Sequence, residues 1–208
     1  MHQSVLKEET INSLPLKEDA IIVDATLGYA GHSSEILKRI PKGFLYAFDQ
    51  DQKAVDYSLE KLEKIGSNFE IIKTNFVHMK EELEKRNITK VDGILFDLGV
   101  SSPQLDEQTR GFSFHMDAPL DMRMNEEASF SAKDVVNSYS KEELIRIFRE
   151  YGEEKYASSI AQNIVKKRKE KIIETTLELV EIIKESVPEN TKEKNIPQEN
   201  YFKQFELK

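Results

Sequence analysis

The sequence predicts an α/β fold, with a doubly wound parallel sheet in the first half of the chain and a helical subdomain after it. Two observations carry this prediction. Short, continuously apolar runs alternate with segments whose apolar residues recur at helical spacing, as in parallel strands that are buried on both faces. After residue 124 the helical spacing continues, but no further apolar run of strand type follows.

Four strands are predicted, over residues 20–23, 44–48, 69–73 and 93–96. An amphipathic lead-in precedes the first strand. Helices are predicted between the strands, over residues 33–40, 53–65 and 77–86. The regular alternation of strand and helix predicts one parallel sheet with helices on both faces.

The second half of the chain is predicted to contain four helices, over residues 131–137, 140–151, 153–169 and 175–187. Ser140 and Glu143 have the spacing of a capping box. The helix that they begin has an apolar stripe made of Leu144, Ile147, Phe148 and Tyr151. The predicted organisation is an α/β core over residues 1–104, a helical subdomain over 105–187 and an irregular tail over 188–208.

The composition excludes several kinds of site. The 208 residues include no cysteine, which excludes disulfides and thiolate ligands, and the four histidines lack ligand spacing, so no metal site is expected. Acidic residues near the N-terminus do not fit a signal peptide, and no apolar run is long enough to span a membrane. The expected location is therefore cytoplasmic. A net charge of −8 argues against nonspecific binding to nucleic acid, unless a local basic patch is present.

Polar and aromatic side chains follow the predicted strands at one edge of the sheet. Asp24, Asp49 and Asp97 follow the first, second and fourth strands, and Phe76 lies just beyond the third. The glycines of the loop 28–31 let the backbone approach a ligand closely before a helix begins. Asp49 follows this loop by about twenty residues, the spacing at which a carboxylate binds ribose hydroxyls. These positions predict a site for a nucleoside-containing cofactor, with Phe76 available to stack on a purine.

The glycine pattern separates two kinds of cofactor. A dinucleotide site requires the pattern G-x-G-x-x-G, whereas this loop contains only Gly28 and Gly31. A strand followed by Asp24, Gly28 and Gly31 instead resembles the first motif of S-adenosylmethionine-dependent methyltransferases. A plain turn that uses glycine for its geometry is the structural alternative.

The most distinctive stretch runs from Gly93 to Met124. It leaves a strand at Asp97 and continues as a long loop that mixes aromatic residues, paired charges and methionines. Because a long loop of this composition is too aromatic for disorder, it is predicted to form part of an active site.

Together with other motifs, this stretch resembles the bacterial 16S ribosomal RNA cytosine-N4 methyltransferases of the RsmH or MraW type. The resemblance covers about residues 2–187. The matching segments are HxxVL at 2–6, DATLG at 24–28, GHS at 31–33, DQD at 49–51, DGILFDLGVSSPQLD at 92–106, RGFSF at 110–114, DxPLDMRM at 117–124, YGEE at 151–154 and TTxEL at 175–179.

The resemblance implies a Rossmann-like methyltransferase sheet with a helical substrate-recognition domain inserted after the fourth strand. It implies methyl transfer to the N4 amine of a cytidine in the decoding region of 16S rRNA, which makes the small ribosomal subunit the expected partner. The residues implied to bind S-adenosyl-L-methionine are Ala30, Gly31, His32, Asp49, Phe76, Asp97 and Gln104.

Two features depart from the family pattern. Ala30 stands where the family usually has glycine, and it is expected to fit if its φ is negative. The family continues with the remaining strands of the sheet, whereas residues 189–208 do not resemble that continuation. We therefore expect a truncated or frameshifted C-terminus with the late strands missing. A sheet without those strands would expose an apolar edge, which predicts poor solubility or a homo-oligomer.

The turn after the fourth strand supplies the candidate catalytic residues. Asp97 is expected to bridge cofactor and target and to accept a hydrogen bond from the target amine, with Ser101 and Ser102 as auxiliary acceptors. The target base must be unpaired or flipped to reach this turn.

The long loop supplies candidate RNA contacts. Phe112 and Phe114 are candidates to stack on the base, and Arg110 and Arg123 are candidates to bind phosphate. The rings could instead pin the loop to the core, and the arginines could instead pair with nearby aspartates, namely Asp106, Asp117 or Asp121.

A basic run of Lys166, Lys167 and Arg168 is a further phosphate candidate. Its alternative is a solvated helix end, the usual role of a charge run.

Three functions are compatible with these features. The first is an rRNA cytosine-N4 methyltransferase. The second is an inactive, truncated fragment that acts only as a cofactor-binding, RNA-binding or interaction module. The third, a nicotinamide-dependent oxidoreductase, is disfavoured by the glycine spacing.

Overall fold

The computed structural model describes residues 7–188. The chain forms two compact units, which meet in sequence between Leu98 and Gly99. This division lies a few residues before the boundary that the sequence suggested after residue 104. The first six residues, and all but the first residue of the expected tail, lie outside the described part.

Unit 1, which ends at Leu98, contains a sheet whose neighbouring strands are all parallel. The strands are β1 (Ile21–Asp24), β2 (Phe44–Asp49), β3 (Phe69–Lys73) and β4 (Gly93–Leu95), in the order β3-β2-β1-β4. This confirms the predicted strands and the α/β fold class. Because the strand order reverses at β1, the carboxyl ends of β1, β2 and β4 meet around the crevice where doubly wound sheets bind ligands.

Helices cover both faces of this sheet. They are α1 (Lys7–Ser13), α2 (Gly31–Arg39), α3 (Gln52–Glu63) and α4 (Met79–Lys85). Adjacent residues of β1 point to opposite faces, so Ile22 joins one apolar cluster with residues of α1–α3, and Val23 joins another with Leu83 of α4.

The helix predicted over residues 77–86 is interrupted. A 3₁₀ turn occupies Phe76–His78, and α4 follows it. The side chain of Asn75 accepts a hydrogen bond from the backbone N–H of Val77 at 3.0 Å, which caps the turn and tightens the start of the segment.

Unit 2, which begins at Gly99, is helical, with a long loop between its first helix and its second. Its helices are α5 (Ser102–Asp106), α6 (Ala132–Ser138), α7 (Lys141–Glu150), α8 (Ala157–Lys167) and α9 (Thr176–Ser186). The four helices predicted after residue 130 are confirmed. The predicted capping box of α7 is present, because Ser140 N donates to Glu143 Oε2 at 2.8 Å and Glu143 N donates to Ser140 Oγ at 3.2 Å.

The core of unit 2 forms between α7 and α8. Leu144, Ile147 and Phe148 are buried in one cluster with Ile160 and Ile164. Large apolar side chains at this helical spacing bury a continuous stripe, which stabilises the pair of helices more than intrinsic helix propensity does.

Two details of this helical pair differ from the prediction. Tyr151 does not extend the buried stripe, because α7 ends at Glu150 and the Tyr151 side chain is 38% exposed. The next helix begins at Ala157 rather than at residue 153, because Glu153 has a left-handed backbone with φ of +50°.

The edge strand β4 exposes an unusual amount of apolar surface. Among the described strands its only partner is β1. Ile94, Phe96 and Leu98 alternate along the chain and are 41%, 45% and 60% exposed. An exposed strand edge that carries apolar side chains is a template for pairing with another chain.

Across residues 7–188, no helix is both long enough and apolar enough to cross a membrane.

We expect the protein to self-associate through β4 at micromolar concentration. The double substitution Ile94→Thr and Leu98→Gln should shift sedimentation velocity profiles toward the monomer, because it removes apolar area while Thr keeps the strand propensity at position 94. Leu59→Gln is the matched control, since Leu59 is 42% exposed on α3, away from this edge. A parent protein that sediments as a monomer at all concentrations would contradict this expectation.

Candidate functional site

A buried carboxylate organises the carboxyl end of β1. Asp24 is 1% exposed, and it accepts hydrogen bonds from Ser33 Oγ at 2.6 Å and from Thr26 N at 3.1 Å. Burial raises the pKa of the Asp24 carboxyl, and these hydrogen bonds oppose the rise. The interactions tie the end of the strand to the first turn of α2.

The loop of residues 28–31 is held from two sides. Gly28, whose φ is +49°, donates its N–H to Asp49 Oδ2 at 2.8 Å. On the other side α3 supplies two donors: Ser58 Oγ bonds the carbonyl of Gly28 at 2.8 Å, and Lys61 Nζ bonds the carbonyl of Tyr29 at 2.8 Å. These bonds fix the direction of the loop's backbone groups.

Ser58 and Lys61 were not predicted as site residues. The signal was nevertheless present, because Ala54, Ser58 and Leu62 lie four residues apart on the buried face of α3. A serine on an otherwise apolar stripe indicates a buried polar partner.

The condition under which Ala30 was expected to fit, a negative φ, is not met. Its φ is +54° and its ψ is 39°, a left-handed conformation that costs a residue with a Cβ about 1 kcal/mol. The loop imposes this conformation, because Ala30 N bonds Leu27 O at 2.9 Å while Ala30 O accepts from the hydroxyl of Ser34 at 2.5 Å. The position is fully buried, so it accepts a small side chain such as that of alanine.

His32 and Asp97 approach each other at the ends of α2 and β4. Nδ1 of His32 lies 3.6 Å from Oδ2 of Asp97, and Asp97 N donates to Thr26 Oγ1 at 2.7 Å. His32 is buried, and its Nε2 has no hydrogen-bond partner among residues 7–188. A buried imidazole nitrogen normally has a partner, so this atom marks a position that suits a polar ligand atom.

The aromatic candidate of the site is half-buried. The ring of Phe76 packs edge-on against that of Phe96, with centroids 5.5 Å apart. Unit 1 therefore holds at one sheet edge all of the predicted cofactor residues except Gln104.

Asp49 is fixed there by backbone donors, because its carboxylate also accepts from Asp51 N at 2.9 Å. Burial raises the pKa of the Asp49 carboxyl as well.

The remaining candidates of this group belong to unit 2. Gln104 is buried, and its Oε1 accepts a hydrogen bond from Ser101 N at 3.0 Å at the start of α5. Ser101 and Gln104 form the capping box that begins α5, and Ser101 Oγ is buried there. Ser102 is the first residue of α5.

Arg110 and Phe112 lie in the interior of unit 2. Arg110 Nη2 donates to the carbonyls of Arg123 at 2.8 Å and Met124 at 3.1 Å, and Nε lies 3.3 Å from Glu126 Oε1. The guanidinium also stands 5.6 Å from the centroid of Phe112, which is 2% exposed. These contacts stabilise the long loop, and such burial disfavours direct contact of either side chain with RNA.

Arg123 also organises the loop. Its Nε and Nη2 bind Asp121 in a bidentate pair at 2.7 Å and 2.6 Å, and Nη1 donates to the carbonyls of Glu126 and Ala128. The ion pair with an aspartate, which was the alternative to a phosphate contact, is therefore present. Phe114 is half-buried against the core of unit 2.

Two of the three residues in the basic run at the end of α8 contact other parts of unit 2. Lys167 pairs with Glu185 at 2.9 Å, and Arg168 donates to the carbonyl of Val136 at 2.8 Å. Lys166 is exposed.

Comparisons with known proteins agree with the family resemblance. A sequence model of the MraW methylase family matches residues 1–205. Proteins named ribosomal RNA small subunit methyltransferase H are 56% identical over 187 residues in Exiguobacterium sibiricum and 54% identical over 189 residues in Spiroplasma kunkelii. Each match covers 90% of this chain, and the chain spans 60% of the length of these relatives. Among solved structures, an rRNA methylase from Streptococcus thermophilus has a TM-score of 0.38 at 18% identity, covering 57% of this chain and 70% of its own, a likeness too weak to support an argument.

The raised pKa of Asp24 predicts a pH dependence of stability. A carboxyl whose pKa is higher in the folded state than in the unfolded state favours folding most at low pH, and this contribution is lost as pH rises from the ordinary value of 3.8 toward the folded value. The free energy of unfolding of the parent should therefore fall relative to that of Asp24→Asn as the pH rises above about 4, measured by urea unfolding. A constant difference between the two proteins would contradict this assignment.

Proposed function

The chain belongs to the MraW methylase family, and on that premise we propose that it is an S-adenosylmethionine-dependent methyltransferase of small-subunit ribosomal RNA. The target that we propose is the N4 amine of a cytidine in the decoding region of 16S rRNA, in the cytoplasm. One observation supports the activity most directly: the edge of the unit 1 sheet brings the 28–31 loop, Asp49, His32 and Asp97 together.

The residues at this edge fit S-adenosylmethionine chemically. The Asp49 carboxylate accepts hydrogen bonds from the backbone of Gly28, Gln50 and Asp51, and its remaining lone pair can accept a bond from a ribose hydroxyl. Phe76 offers a ring for the adenine. The buried Nε2 of His32 gains a polar partner when a ligand covers the loop. Gln104 remains a proposed contact.

Electrostatics also favour a cofactor of this kind. The carboxylates of Asp49 and Asp97 place negative charge at the sheet edge, which suits a sulfonium cation. The loop lacks the G-x-G-x-x-G pattern with which a dinucleotide site brings backbone N–H groups to a pyrophosphate. The side chains at this sheet edge therefore fit a ribose, a purine and a cation better than they fit a dinucleotide.

S-Adenosylmethionine supplies a methyl group that its positive sulfur has already activated. The contribution of the protein is then to orient the amine and to take up its proton. Cytosine N4 is a weak nucleophile because its lone pair is delocalised into the ring. Asp97, whose side chain is 50% exposed, can accept a hydrogen bond from this amine and localise the lone pair on nitrogen. His32 beside it orients the carboxylate.

Two serines follow Asp97 closely along the chain and complete the proposed acceptor set. Ser101 belongs to the capping box of α5, and its hydroxyl can still donate one hydrogen bond or accept a second. Ser102 remains a proposed auxiliary acceptor.

RNA contacts are proposed at the surface rather than in the interior of the long loop. Lys166 at the end of α8 is exposed and is the strongest phosphate candidate of the basic run. Lys167 and Arg168 accompany it with their directions set by Glu185 and Val136. The half-buried Phe114 remains the stacking candidate.

The competing function is an inactive fragment that binds cofactor or RNA only. It is favoured by the exposed apolar side chains along the edge at β4. Cofactor binding and methyl transfer must therefore be measured separately.

The first measurement is a calorimetric titration with S-adenosylmethionine. We expect saturable binding, and we expect Asp49→Ala to weaken it at least about tenfold, because a charge-assisted hydrogen bond to the ribose is lost. Asp56→Ala is the matched control, since Asp56 is an exposed acid on α3 whose carboxylate accepts from Gln52 Nε2 at 2.6 Å. Equal affinities in the two variants would remove Asp49 from the site.

The second measurement is methyl transfer from labelled S-adenosylmethionine to small ribosomal subunits. The parent should transfer one methyl group to cytidine N4, and Asp97→Asn should lower the turnover number about 100-fold with a smaller change in cofactor affinity. Cofactor binding without transfer by the parent would support the inactive fragment. Transfer by Asp97→Asn at the parental rate would exclude Asp97 as the acceptor.

A further inference from the structure

Three helices of unit 1 each contribute one lysine to a single basic surface. Lys7 of α1 and Lys38 of α2 lie 3.4 Å and 3.0 Å from the same oxygen, Oε1 of Glu35. Lys61 of α3 is close enough to these three groups to interact with each of them electrostatically. Two lysines therefore bind one carboxylate and a third lies within electrostatic range, so positive groups outnumber the negative one among these four side chains.

An aromatic pair adjoins these lysines. The rings of Tyr29 and Tyr57 lie 5.0 Å apart at an angle of 57°, and Lys61 Nζ is 6.0 Å from the centroid of Tyr57. Tyr57 is 54% exposed on α3, so much of its ring surface faces solvent. We call Lys7, Lys38, Lys61, Tyr29 and Tyr57 the lysine–tyrosine patch.

The position of Lys61 makes the patch receptive to an anion. Partial burial lowers the pKa of the Lys61 ammonium, and the positive charges of Lys7 and Lys38 lower it further. Its neighbours thus raise the local positive potential that a phosphate would neutralise. Glu35 offsets only part of this potential.

We propose that the lysine–tyrosine patch binds single-stranded RNA, with the lysines contacting phosphates and Tyr57 stacking on an unpaired base. Aromatic rings interleaved with cations are the chemistry that single strands require, because every base has a face to stack and every linkage carries a charge. The inference rests on the proposed function, for which it supplies a second RNA contact, in unit 1.

The patch also adjoins the proposed cofactor loop. Lys61 Nζ bonds the carbonyl of Tyr29, and Tyr29 follows Gly28 directly in that loop. An RNA strand held on the patch would lie beside residues 28–31. RNA binding and cofactor binding would then be linked through Lys61, whereas Lys38 and Tyr57 have no hydrogen bond to the loop within the described chain.

The experiment measures the affinity of the full chain for a fluorescein-labelled oligouridine of about 12 nucleotides by anisotropy, over a range of salt concentrations. We expect Tyr57→Leu to weaken binding about tenfold by removing a stacking ring while keeping apolar cover over Tyr29. Lys38→Gln should weaken binding and lower the slope of log K against log salt by about 0.7. Glu35→Gln should act in the opposite direction and tighten binding a few fold, because it frees Lys7 and Lys38 from their shared carboxylate.

Lys80→Gln is the matched control, since Lys80 is a highly exposed lysine on α4, outside the patch. Affinities that change equally in Lys38→Gln and Lys80→Gln, or that do not respond to Tyr57→Leu and Glu35→Gln, would overturn the proposal by showing nonspecific attraction. Calorimetry with S-adenosylmethionine distinguishes the two proposals. A parent that shows the predicted RNA pattern but binds no cofactor would refute the proposed function and leave this inference standing.

Discussion

The buried carboxylate of Asp24 is the constraint on which the sheet edge of unit 1 depends. It binds the hydroxyl of Ser33 and the N–H of Thr26, and the hydroxyl of Thr26 in turn accepts the N–H of Asp97. One short chain of hydrogen bonds therefore joins the end of β1, the start of α2 and the end of β4. An ionised group that is buried costs several kcal/mol unless it is bonded in this way, so the three elements must keep their positions for the carboxylate to be tolerated.

Hydrogen bonds from side chains to backbone carbonyls hold the irregular segments of both units. In unit 1, Ser58 and Lys61 reach from α3 to the carbonyls of the 28–31 loop. In unit 2, Arg110 and Arg123 donate to carbonyls of the loop that precedes α6. Such bonds occur in both units because a segment outside helices and sheets must find side-chain partners for its backbone hydrogen-bonding groups. Arg110 and Arg123, which the sequence suggests as RNA contacts, therefore have a part in holding the loop.

The sequence by itself determined the strands, most of the helices and the family. Continuous apolar runs specify buried parallel strands, and helical spacing specifies the stripe of α7, because both patterns follow directly from burial. The positions of Asp24, Asp49 and Asp97 at one edge followed from the parallel arrangement. Local motifs such as the capping box at Ser140 needed only their spacing.

Only the tertiary structure decided the conformation of Ala30 and the contacts of Arg110 and Arg123. The sign of a backbone angle in a loop depends on bonds to distant residues, which no local pattern encodes. Whether an arginine side chain faces solvent or the interior depends on whether the folded loop brings backbone carbonyls within its reach. The lysine–tyrosine patch arises in the same way. Its residues come from three helices and the 28–31 loop, and they meet only when α1, α2 and α3 pack on one face of the sheet.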